Sequence, residues 1–146
     1  MEFPLLSFQR VLTFGHHSFL RFLLYDLYNH ISLKAYLAIF WFDTDVYFRF
    51  VENCKKLGCD KPITAGIMPI SNKDSLIRMA NNCGAKLPDS LIKQLDSYSE
   101  EEDIKKFGID YVSSLVQELI KKGAPGIHFY TINQLEPTKL ILDNLD

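Results

Sequence analysis

Two short stretches of this sequence stand at the ends of strand-length apolar runs, where residue types can contact a ligand. One reads Gly66-Ile67-Met68-Pro69-Ile70-Ser71-Asn72; the other reads His128-Phe129-Tyr130-Thr131-Ile132-Asn133. Tyr130 offers an aromatic face and a phenolic hydroxyl, which serve equally to fill a core or to touch a ligand. His128 lies within an apolar run, where the expected role is structural, with one ring nitrogen hydrogen-bonded in the core. Ile132 reads as packing within this chain. Pro69 ends its run, because proline brings no donor to a strand ladder. Asp43 reads as a helix cap. Cys54, Cys59 and Cys83 fit neither a zinc knuckle nor a CxxC redox pair, and read as small apolar groups with reduced thiols. His16, His17 and His30 lack spaced carboxylate or cysteine companions, so no metal site is expected. There is no glycine-rich phosphate loop, no G-x-S-x-G turn and no carboxylate pair of defined geometry.

The elements that must position these residues follow from apolar periodicity. Residues 37–42 form a continuous apolar run of strand length, as buried parallel strands do. Asp43 or Thr44 can cap a helix whose apolar face is Tyr47, Phe50, Val51, Cys54 and Leu57, stopped by Gly58. Residues 62–68 form a second strand. Ser71 or Asn72 caps a helix bearing Leu76, Met79, Ala80 and Cys83, closed by Gly84. Pro88 stands where a first helical residue would, ahead of Leu91, Ile92 and Leu95. Ser99 and Glu102 make a capping box for a longer helix. Its predicted buried face is Ile104, Phe107, Tyr111, Leu115 and Leu119. Residues 126–132 form the third strand, and Thr138, Ile141 and Leu145 mark the last helix. This alternation predicts an α/β fold with parallel strands, whose ligands meet the C-terminal strand ends.

Residues 1–36 differ in texture. Fourteen of the nineteen aromatic residues lie in the first fifty positions, without a clean period through residue 36. This reads as a divergent aromatic-rich leader, with a short helix around residues 19–31 as one candidate. A net charge of −2 gives no electrostatic case for nucleic acid or an anionic membrane. The only charge run, Glu100, Glu101, Glu102 and Asp103 followed by Lys105 and Lys106, reads as a helix start. No apolar run reaches the roughly 20 residues of a membrane span. The odd cysteine count and the lack of a basic leader point to a cytoplasmic chain.

The two stretches resemble methylenetetrahydrofolate reductases. The first looks like that family's G-I-(L/F/M)-P-(I/V) segment and the second like its H-F-Y-T-L-N segment, in order and at matching separation. Phe42-Asp43-Thr44-Asp45-Val46-Tyr47-Phe48-Arg49-Phe50 resembles the family's F-(D/E)-x-(D/E)-x-(F/Y)-x-R-F run. Phe107-Gly108-Ile109 and Gln117-Glu118-Leu119 resemble its long penultimate helix, in the eukaryotic branch above all. The likeness covers roughly residues 40–146.

The resemblance implies a (β/α)8 TIM barrel, of which residues 37–146 would supply the last three βα units. A whole barrel typically needs about 250 residues, and this chain has 146. It implies FAD-dependent reduction of 5,10-methylenetetrahydrofolate to 5-methyltetrahydrofolate, with NAD(P)H as reductant. The family's acid and flavin-binding residues come from earlier strands. What corresponds here is a folate wall: Ser75, Met79, Tyr130 and Ile132. Ile39 stands where the family usually has a pterin-binding glutamine. Gln134 stands where it has an arginine, which loses charge and the bidentate fork for a carboxylate. The expectation is an incomplete reductase with little or no turnover alone. The alternative is a non-catalytic barrel fragment that self-associates, as a homo-oligomer through exposed strand edges, or pairs with another protein. An unrelated small α/β binding domain is the third reading.

Overall fold

A computed structural model of the chain describes residues 39–40, 42–58 and 61–145. The predicted leader, its helix around residues 19–31 and the start of the first strand lie outside them. The described residues form three strands and five helices. In chain order these are β1 (Ile39–Phe40), α1 (Thr44–Lys56), β2 (Ala65–Ile67), α2 (Lys73–Cys83), α3 (Asp89–Asp96), α4 (Glu101–Lys121), β3 (Ile127–Phe129) and α5 (Leu135–Asp143). The strands pair in parallel in the order β1-β2-β3. Ala65 stands opposite Ile39 on one side and Ile127 on the other. The α/β class and the parallel order are those the alternation predicts.

The second and third strands are shorter than their apolar runs. Proline donates no hydrogen bond, and Pro62 and Pro69 bracket the second run. Past the third strand, the backbone turns left-handed at Ile132 and Asn133. All three β2 residues are buried, as expected of a central parallel strand. In β3 only Ile127 and Phe129 pack on the core, while His128 is exposed. The expected core role for His128 is therefore overturned: strand alternation turns its ring to the uncovered face.

Helix ends follow local chemistry in most places. The Asp43 carboxylate accepts from the backbone N–H groups of Asp45 and Val46. The Asn72 side chain accepts from Ser75 N at 3.0 Å, satisfying a donor with no partner inside the helix. Two starts differ from expectation. Pro88 precedes α3 as its cap, with ψ 136°, and does not occupy the first helical turn. The Ser99–Glu102 capping box does not form, because α4 begins one residue later, with Glu100 at the cap and no side-chain cap hydrogen bond. Glu101, Glu102 and Asp103 meet the positive end of the helix dipole instead.

Packing on α4 also departs from the predicted face. The buried residues are Gly108, Val112, Ser113, Leu115, Val116 and Leu119. Ile104, Phe107 and Tyr111 flank this stripe, half-buried. The cause is a close approach: a Cβ on Gly108 would lie 2.1 Å from the Ile70 carbonyl oxygen and 2.8 Å from Ile70 Cβ. The smallest residue thus faces the strand exit and the aromatics splay aside. Phe107 stacks between Tyr98 and Tyr111, at 5.4 and 5.9 Å between ring centres. The Tyr111 hydroxyl donates to the Phe42 carbonyl at 2.9 Å.

The remaining ties are equally specific. Tyr47 is fully buried and its hydroxyl donates to the Ile63 carbonyl at 2.7 Å, so the buried oxygen is satisfied. Leu57, predicted on the inner face of α1, caps that helix and is 53% exposed. Leu145 lies beyond α5 and packs on the core from there. At the other end of α4, Glu118 accepts from Thr44 Oγ1 at 2.9 Å and pairs with Lys122 at 2.7 Å. Lys122 also reaches Asp45 at 3.1 Å. Hydrogen bonds from Lys122 and then from Thr44 hold the Glu118 carboxyl below its ordinary 4.5.

Three outcomes follow. Gly108→Ala should destabilise the fold by about 1–3 kcal/mol through overpacking, seen as a lower urea midpoint. Gly126→Ala, whose added Cβ would meet only Thr64 side-chain atoms at 3.8 and 3.9 Å, should stay within about 0.5 kcal/mol. As pH falls, the unfolded chain takes up the Glu118 proton first. The stabilisation from that group is therefore full above 4.5 and fades as pH drops through the depressed folded value. Exposure and salt keep the effect small. Urea midpoints measured across the acid range should decline less steeply for Glu118→Gln than for the parent; parallel declines would contradict this.

Candidate functional site

The C-terminal ends of β2 and β3 and the first turns of α2 surround a cleft of about 160 Å³. Ser75, Met79, Tyr130 and Ile132 all line it, joined by Met68 and Thr131. The residues nominated from the sequence thus converge on one place, from two elements.

Each is set by local structure. Tyr130 N donates to the Ile67 carbonyl at 2.8 Å, extending the β2–β3 ladder past the last strand residue. Its ring meets His128 edge-on, with centroids 4.6 Å apart. Burial, and then the Cys83 thiol, raise the phenol above its ordinary 10.0, so it remains a donor at neutral pH. Met79 lies one turn from Cys83 on α2, with the two sulfurs 3.8 Å apart. Burial also raises the Cys83 thiol, which keeps it protonated and a poor nucleophile. Ser75 is exposed, and its hydroxyl accepts from Arg78 Nη2 at 3.2 Å.

Ile132 is the strained member. Its φ is +47°, in a region where a β-branched side chain is an outlier. Asn133 follows at φ +60°, which asparagine tolerates better. The Ile132 side chain is 55% exposed, so core packing does not account for its conformation. Strain of this kind persists where the surrounding structure dictates it, and it collects at ligand sites.

Arg78 and Asn82 line the cleft too, although the apolar pattern did not mark them. With Ser75 and Met79 they occupy positions i, i+3, i+4 and i+7 of α2, one helix face. That spacing of polar residues was readable in the sequence. A second cleft, of about 300 Å³, adjoins the first and shares Ser71, Gln134 and Pro137 with it. Its other walls are Lys105, Leu135 and Glu136. Among the described residues no group of three His, Cys, Asp or Glu side chains is placed to hold a metal. Nor is any described helix long and apolar enough to cross a membrane.

Comparison with known proteins turns this geometry into a family assignment. The family profile described as methylenetetrahydrofolate reductase matches residues 34–146. The chain belongs to the methylenetetrahydrofolate reductase family. Methylenetetrahydrofolate reductase (NADH) 1 of Arabidopsis thaliana is 35% identical over 106 residues, covering 72% of this chain and 18% of that protein. A probable methylenetetrahydrofolate reductase (NADPH) of Caenorhabditis elegans is 30% identical over 107 residues, covering 72% of this chain and 16% of that protein. The 5,10-methylenetetrahydrofolate reductase of Escherichia coli (strain K12) is 29% identical over 125 residues, covering 84% and 42%. The chain therefore spans less than half the length of each of these relatives.

The resemblance also brought FAD as an expectation, and the described residues do not form a container for it. Pockets that enclose a drug-sized ligand measure about 300–1,000 Å³. The Tyr130 cleft is about 160 Å³ and its neighbour about 300 Å³, at or below the lower end of that range. FAD, with two ring systems and a pyrophosphate, is larger than such a ligand.

The strain at Ile132 gives a prediction. Ile132→Gly removes a left-handed penalty of roughly 1–2 kcal/mol and adds a chain-entropy cost of about 0.5–1 kcal/mol. The variant should be equal or greater in stability by thermal unfolding. A clear loss of stability would mean that the exposed side chain packs more than its surroundings indicate.

Proposed function

We propose that residues 37–146 are the last three βα units of a (β/α)8 barrel and supply one wall of its folate site. The protein they serve would be an FAD-dependent methylenetetrahydrofolate reductase drawing on NAD(P)H. The observation that carries this reading is the convergence of Ser75, Met79, Tyr130 and Ile132 on one cleft at the C-terminal strand ends, the face where barrel enzymes hold substrate. Three parallel neighbours in chain order, each followed by a helix, support the barrel part. The free thiol of Cys83 fits a cytoplasmic chain.

In this reading the chain's residues bind and orient. Tyr130 and Met79 give the ring system an apolar surface, and Ser75 with Arg78 gives its substituents polar partners. The acid and the flavin cradle then come from earlier strands of the barrel, so little or no turnover is assigned to this segment alone. A second reading is self-association. Among the described residues β3 pairs only with β2, leaving backbone groups on its other edge for a second chain.

Calorimetric titration of the purified chain with 5-methyltetrahydrofolate separates the two. Saturable binding is expected, weakened about tenfold by Tyr130→Ala, equivalent to ~1.4 kcal/mol. Leu140→Ala, an exposed position outside the cleft, should bind like the parent. Absent binding, or binding indifferent to Tyr130, would overturn the folate wall. An oligomer without folate affinity would favour self-association.

A further inference from the structure

The two adjoining clefts differ in chemistry. The Tyr130 cleft has apolar lining from Met68, Met79 and Ile132. The neighbouring cleft carries one cation, Lys105. Gln134 lies at the junction and lines both, but it is neutral. A ligand that lays a ring on Tyr130 and runs past Gln134 thus ends beside an ammonium group.

Lys105 is held where such a ligand would need it. Its side chain is 26% exposed, against 71% for Glu136, its ion-pair partner at 3.1 Å. The lysine is therefore the anchored member of the pair and the glutamate the free one. Glu102, on the preceding turn of α4, adds a weaker attraction to the same ammonium. An exposed pair of this kind contributes little to stability, so exchanging one carboxylate for another is cheap. Arg78, the other cation near the clefts, sits on α2 and already donates to Ser75.

We propose that Lys105 binds the tail carboxylate of a ligand whose ring rests on Tyr130, with Glu136 occupying that position until the ligand displaces it. This rests on the folate reading, and makes Lys105 a determinant of specificity for a carboxylate-bearing tail. Charge-assisted hydrogen bonds from ammonium to carboxylate are the stronger kind, and a lysine acts here as a point charge without a fixed fork.

The test compares two probes on the full chain: 5-methyltetrahydrofolate, and its diester with both tail carboxylates masked. The parent should bind the free acid roughly tenfold more tightly than the diester. Lys105→Met should abolish that difference while leaving diester affinity unchanged, which also shows that the variant is folded. Glu136→Gln should strengthen acid binding several-fold, and Lys121→Met, at the far end of α4 and outside both clefts, should keep the discrimination. Equal binding of acid and diester by the parent would overturn this inference alone. So would discrimination that survives Lys105→Met or is lost in Lys121→Met. If neither probe binds, the folate reading falls and this inference falls with it.

Discussion

The approach of α4 to the end of β2, at Gly108 and Ile70, is the contact on which the rest of the structure turns. It fixes how near the long helix lies to the sheet, because any side chain at Gly108 would run into backbone. From that point the helix reaches the exits of all three strands. Three residues on, Tyr111 ties down the Phe42 carbonyl after β1. Three residues back, Lys105 pairs with Glu136 after β3. One helix face thus sets the relative positions of the loops that line both clefts.

The candidate site divides into a rigid part and a strained part. Met68 and Tyr130 stand on strand extensions, one 4% exposed and the other held by a ladder hydrogen bond to Ile67. Ile132 projects from a left-handed turn with little packing to hold it. Rigid residues give shape and the strained one gives reach. Helices supply polar groups, Ser75 and Arg78 on α2 and Lys105 on α4, and loops supply Ser71, Thr131 and Gln134.

Much of this was legible in the residues. Asp43, Asn72, Gly58 and Gly84 marked helix ends because capping and left-handed stops depend on local chemistry. The apolar runs marked the strands because a central parallel strand is buried on both faces. The errors share one origin. Ser99, Pro88 and the Ile104–Phe107–Tyr111 stripe each satisfied a local rule, and tertiary packing selected another register. At α4 a glycine carried the contact, and apolar periodicity gives glycine no weight. His128 misled because a hydrophobic neighbourhood in sequence does not say whether a strand has one covered face or two. Tyr130 was marked by its place near a strand end, whereas Ser75, Met79 and Ile132 emerged as ligand contacts only through likeness to a family, since nothing in their own spacing ties residue 79 to residue 130.

The register of the sheet carries a kinetic consequence. β2 and β3 are hydrogen-bonded neighbours, yet Ala65 and its partner Ile127 lie about sixty residues apart, with three helices between them. During synthesis β2 leaves the ribosome long before β3, and its edge amides and carbonyls wait on water or on a helper. Helices α2, α3 and α4 can form in that interval, because their bonds are local. The last pairing then closes a large loop, a slow step during which a bare parallel edge is open to the wrong partner. The connectivity of this sheet thus makes the β2–β3 pairing its most non-local step.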